Sequence, residues 1–107
     1  MERVNDEAAY RNMDAQGVMR FLGFHPDTAE FLLRECNIVG IEVDTLSLDY
    51  GASKDFKIHD TLLPANKWGL ENVANLGRTP PAGATVFVGT LRIKGASGGP
   101  VRLIAVW

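Results

Sequence analysis

The chain has 107 residues, a formal net charge of −2 and no basic cluster, so nucleic acid and anionic membrane surfaces are poor partners for it. With 46% hydrophobic and 22% charged residues it falls in the globular range, and its length suits one ordinary domain. A single cysteine, Cys36, rules out an internal disulfide and fits a reducing cytoplasm. No apolar run approaches the length of a membrane span, and the polar, acidic start does not read as a signal peptide.

Residues 1–13 carry many charges and few large apolar groups, and read as a polar arm that gains order against a partner surface. "QGVMRFLGF" follows; its apolar residues lack a clean period, which suits a packed connecting segment. "HPDTAEFLLRECN" is the best predicted helix. Pro26 suits the first turn, His25 stands at the capping position, Asp27 and Glu30 lie near the positive end of the dipole and Arg34 near the negative end. Ala29, Leu32, Leu33 and Cys36 form its apolar stripe, and Asn37 is expected to end it in a left-handed conformation. "IVGIEVD" is short, β-branched and almost wholly apolar, the pattern of a strand covered on both faces.

A long loop, "TLSLDYGASKDF", leads into "KIHDTLL", one or two helical turns stopped by Pro64. A short strand is expected around Leu70–Val73, then a turn cluster at "GRTPPAGA". "TVFVGTLRIK" reads as a strand that ends in alternation, Leu91 and Ile93 inward, Arg92 and Lys94 outward. After the loop "GASGGP", "VRLIAVW" is the last strand, with Val101, Leu103, Ala105 and Trp107 on one face and the preceding strand as its neighbour. The fold class is therefore α/β: a small mixed sheet with one main helix and short helical turns, in one module over residues 14–107.

Chemistry is sparse. His59 and Glu71 are an imidazole and a carboxylate of the kinds that bind zinc or manganese, yet residue type and a twelve-residue interval fit a helix-surface histidine and a strand-end glutamate equally well. Asp44, Asp49, Asp55 and Asp60 could add oxygen ligands or could be a solvated acidic loop; they match no calcium-loop pattern. "GASGGP" does not precede a helix, so it fails as a phosphate cradle. Cys36 lies on an apolar stripe with no activating base, and no Ser/His/Asp arrangement can be argued.

Three stretches in order, "VGIEVDTLSLDYGASKDFKIHDTLL", "GLENVANL" and "PPAGATVFVGTLRIKGASGGPVRLIAV", together with "DAQGVMRF" before them, resemble the C-terminal part of the cyclase family, which includes bacterial kynurenine formamidases and isatin hydrolase. The resemblance runs from about Asp14 to Trp107 and implies the C-terminal half of that family's β/β/α fold. It also implies descent from enzymes whose two-metal site, zinc or manganese, activates water to hydrolyse an amide or lactam. Most ligands of that site lie in an N-terminal motif, His-x-Gly-Thr-His-x-Asp-x-Pro-x-x-x-His; the C-terminal share falls here on His59 and Glu71. The N-terminal motif is absent from this sequence.

Two functions follow from the resemblance. In the first the chain is a truncated module, not catalytic alone and needing no metal, that binds a small ligand or assembles as a homo-oligomer, most simply a dimer through Val18–Phe24. In the second it is part of a metal-dependent amide or lactam hydrolase, completed by a separate N-terminal partner chain or across an oligomer interface, with His25, Asp44 and Asp55 as candidates for pooled ligands.

Overall fold

The computed structural model describes residues 10–107; most of the expected arm, residues 1–9, lies outside them. The chain forms two compact units that meet in sequence at Ala74 and Asn75. Each follows from its local sequence.

The first unit opens with a tight reversal. The Asp14 carboxylate accepts the backbone N–H groups of Gln16 (3.0 Å) and Val18 (2.9 Å), the side chain closing the turn that Gly17 allows at φ +77°. Met13 and Met19 bridge across it in antiparallel fashion, and Arg20 pairs with Asp14. Helix α1 spans Pro26–Glu35, as its pattern predicts, and His25 caps it by accepting the Asp27 N–H. It ends on Cys36 in extended backbone, so the left-handed stop expected at Asn37 is not used. Ala29 is its fully buried residue, with Leu32 and Leu33 packed beside it.

Strand β1 (Gly40–Glu42), helix α2 (Lys57–Leu62) and strand β2 (Trp68–Leu70) form a βαβ unit with the two strands parallel. The predicted strand "IVGIEVD" is thus only three residues long. Only Ile41 is buried in it, and Val39, just before it and outside the paired residues, is largely exposed. The next strand lies at Trp68–Leu70 and not at Leu70–Val73, which leaves Glu71 just past its end. Between the elements sits one apolar cluster, Ala29, Ile41, Leu48, Ile58 and Leu62, with Phe24, Ile38 and Val43 against it.

The second unit is an antiparallel ribbon, β3 (Thr85–Thr90) with β4 (Val101–Val106), preceded by a 3₁₀ turn at Leu76–Arg78. The pairing of the last two strands agrees with the sequence, but β3 stops at Thr90. Leu91 and Ile93, expected inward, are exposed, as are Val101 and Trp107. Directly opposed residues share a face, so Phe87 and Ile104 stand on one side, and Val88 and Leu103 on the other. The described residues form a small mixed α/β arrangement with few helices and two two-stranded sheets. No helix among the described residues is long and apolar enough to cross a membrane.

Candidate metal-binding half-site

The site forms where three parts of the βαβ unit converge. The first is the loop carrying Leu48 and Asp49. Leu48 inserts into the core and lies so close to β2 that a Cβ on Gly69 would stand 2.3 Å from its Cδ1. On the other side a Cβ on Gly23 would stand 2.3 Å from the Asp49 carbonyl carbon, so the segment before α1 also approaches to main-chain contact. Phe24 N–H donates to Leu48 C=O (2.7 Å) and Gly51 N–H to Phe21 C=O (3.0 Å). The loop is pinned from both sides.

The second part is the N-terminus of α2. A short helix needs acceptors for its first N–H groups, and its capping position holds Phe56, which has none to offer. Asp49 supplies them from outside the helix. One carboxylate oxygen accepts the Ile58 N–H at 2.9 Å, and the other lies 3.5 Å from the His59 N–H. That second oxygen also accepts from Nδ1 of the His59 ring at 2.5 Å. Asp49 is only 2% exposed, and burying a carboxylate is costly unless donors converge on it, as they do here.

The third part is Glu71, immediately after β2. Its Oε1 accepts the Leu48 N–H at 3.1 Å and lies 3.3 Å from Nε2 of His59. A chain of contacts therefore runs from Asp49 through both ring nitrogens to Glu71. An ionised carboxylate only accepts, so Asp49 requires the hydrogen on Nδ1. In the neutral ring the Nε2 lone pair then faces the Glu71 carboxylate, two electron-rich groups that need something positive between them. A proton on Nε2 would serve. So would a cation, since two ligands at about 2.0–2.1 Å on a tetrahedral ion stand about 3.3 Å apart. The separation is one that two ligands of a zinc ion could span, with the Asp49 carboxylate placed to fix the ring and its tautomer.

Among the described residues no group of three or more His, Cys, Asp and Glu side chains is disposed to hold a metal ion. What the described residues bring together is one imidazole and one carboxylate. His59 and Glu71, singled out from the sequence, come together. His25 instead caps α1, and Asp55 accepts from the Ser53 hydroxyl. Asp44, in the turn after β1, makes interactions of its own. Asp49 stood in the sequence only as one of four loop aspartates. The signal that could have singled it out is the α2 start: a helix capped by phenylalanine must take its acceptor from elsewhere.

No protein-family profile matches the chain. It is 34% identical to isatin hydrolase from Roseibium aggregatum over 109 aligned positions, which cover 98% of this chain and 41% of that protein. It superimposes on isatin hydrolase A from Ralstonia solanacearum with a TM-score of 0.88 at 34% identity, over 96% of this chain and 40% of that one. It also superimposes on isatin hydrolase A from Labrenzia aggregata, bound to benzyl benzoate, with a TM-score of 0.87 over 94% of this chain and 40% of that one. A third isatin hydrolase, bound to the product analogue thioisatinate, gives a TM-score of 0.86.

Proposed function

We propose that the chain, which is homologous to isatin hydrolases over about two fifths of their length, carries one share of a metal-dependent centre for hydrolysing a cyclic aryl amide of the isatin type. His59 and Glu71 are its metal ligands, and Asp49 orients His59. The observation that carries this reading is the chain of contacts from buried Asp49 through Nδ1 and Nε2 to Glu71, which holds a lone pair and a carboxylate at the separation of two ligands on one ion. Bound there, zinc or manganese would polarise the amide carbonyl and lower the pKa of water. Asp49 keeps the hydrogen on Nδ1, and the Leu48 N–H holds Glu71 Oε1 in place. The remaining ligands come from outside this sequence, as the absent His-x-Gly-Thr-His motif implies. The chain alone is then expected to hold metal weakly and to hydrolyse neither isatin nor N-formylkynurenine.

The test is zinc competition against a chromophoric chelator, with ring-nitrogen NMR of His59 as the site readout. Weak one-to-one binding that perturbs Nε2, is lost in His59→Ala and falls in Glu71→Gln is the expected result. Co-expression with a chain bearing the His-x-Gly-Thr-His motif should then give isatin hydrolysis that requires Glu71. Zinc binding indifferent to His59→Ala refutes the assignment.

A second reading, self-association, has its own support. Leu22 is 83% exposed, and Phe87, Leu91, Ile93, Ile104 and Trp107 are exposed on the ribbon unit. Apolar groups in such number favour an interface, most simply in a homodimer, and pooling of ligands between copies would unite the two readings.

A further inference from the structure

Phe56 breaks two local rules at once. It occupies the capping position of α2, where a side-chain acceptor is preferred, and makes no cap hydrogen bond. Its backbone is left-handed, φ 45° and ψ 44°, a conformation unfavourable for a bulky residue. Among the described residues five non-glycine positions have positive φ, and the other four, Asn12, Asn66, Asn72 and Asn75, are all asparagine, the side chain that tolerates it best. The strain is held in place locally. The Phe56 N–H donates to the Ser53 hydroxyl at 3.2 Å, and its carbonyl accepts the Asp60 N–H at 2.9 Å.

Core packing does not account for the aromatic side chain, since Phe56 is 53% exposed and belongs to no buried cluster. Among the described residues its ring contact is with His59: centroids 6.3 Å apart and planes at 84°. A strained residue that leaves apolar surface in water, edge to face with the candidate ligand histidine, is a candidate for function rather than stability.

We propose that Phe56 is a specificity-determining residue, an aromatic platform that receives the flat ring of an aryl amide or aryl carboxylate beside His59. This rests on the reading of the Asp49–His59–Glu71 cluster as a hydrolase half-centre. Phe56, with its left-handed backbone, stands edge to face with His59, and Asp49, by accepting the Ile58 N–H, supplies the helix acceptor that the phenylalanine lacks. Aromatic pairing favours a flat π-ring over a saturated ring of equal size and charge.

The test titrates the full chain, with and without zinc, using 2-aminobenzoate and cyclohexanecarboxylate, and follows the His59 and Phe56 ring signals by NMR. The parent is expected to prefer the aromatic acid; Phe56→Leu should weaken that acid about fivefold and leave the saturated acid unchanged. Phe56→Asn should lose the same preference and raise the Tm, since asparagine suits the backbone. A lower Tm in Phe56→Asn, equal weakening of both acids in Phe56→Leu, or no binding of the aromatic acid by the parent overturns the proposal. Zinc competition read in parallel keeps the two ideas apart: a parent chain without aromatic preference but with His59-dependent zinc binding fails the platform alone, and a parent with Phe56-dependent aromatic preference but no His59-dependent zinc binding fails the metal centre alone.

Discussion

Replacing Asp49 separates its two tasks. In Asp49→Ala the helix loses its distant cap, and the Ile58 N–H, on a fully buried residue, loses its acceptor. An orphaned buried donor costs about 1–3 kcal/mol. The His59 ring, partly open to water, recovers some of its lost bond by hydration, so about 2–4 kcal/mol is the expected total, or a fall in Tm on the order of 10–20 °C. Asp49→Asn behaves differently. Its Oδ1 can still accept the Ile58 N–H, and the change in stability should stay within about 1 kcal/mol. Its amide NH₂, however, meets Nδ1 of His59 as a donor. The ring must then carry its hydrogen on Nε2 and donate it to Glu71, which removes the lone pair a metal would use. Zinc affinity should fall about 10–100-fold, the range for loss of such an outer partner. Urea denaturation measures the first effect, and the ring ¹⁵N shifts of His59 report the tautomer directly. An Asp49→Asn chain that keeps the parent tautomer and zinc affinity would refute the orienting role. An Asp49→Ala chain as stable as the parent would refute the cap.

Two further outcomes are expected. The Val18 N–H, then the Arg20 guanidinium and the Gln16 N–H, hold the Asp14 carboxyl below its ordinary value. A folded-state pKa below the unfolded one contributes stability that is present above the unfolded pKa and lost as pH falls through the folded one. Asp14→Asn should therefore be less stable than the parent near neutrality, with the gap closing as pH falls below the ordinary carboxylate range; a gap constant across a stability–pH profile would contradict it. Leu22→Asp should shift a light-scattering mass from oligomer to monomer with the fold intact, whereas Phe24, which packs on the core, would unfold the chain if given a charge. A parent that is already monomeric at micromolar concentration sinks the self-association reading.

What the sequence made legible is what depends on neighbours along the chain. Helix α1 follows from its apolar spacing, Pro26 and the His25 cap, and the pairing of β3 with β4 follows from their adjacency. The strand lengths were overestimated because β-branched runs report suitability for a sheet, not the number of partners. In "IVGIEVD" only Gly40–Glu42 pair, which leaves Val39 outside the ladder and largely exposed, and Leu91 and Ile93 lie beyond the point where β4 stops pairing. His59 and Glu71 could be singled out only through family resemblance, since their types and interval are ordinary. Asp49 stayed hidden because its importance comes from burial, and its loop is approached closely by Gly23, 26 residues before Asp49, and, at the adjoining Leu48, by Gly69, 20 residues after Asp49.

The proximity of the three site groups along the chain bears on how the site assembles. Asp49 and His59 are ten residues apart, and Leu48 and Glu71, joined by a backbone-to-carboxylate bond, are 23 apart. Closing loops of that size costs little more than closing the shortest ones, because the entropic penalty rises only with the logarithm of length. Contacts this local form on the fast end of the folding timescale. The imidazole can thus be aimed at Glu71 as soon as the βαβ crossover condenses, and ligands arriving from any other segment would meet a receptor whose geometry is already set.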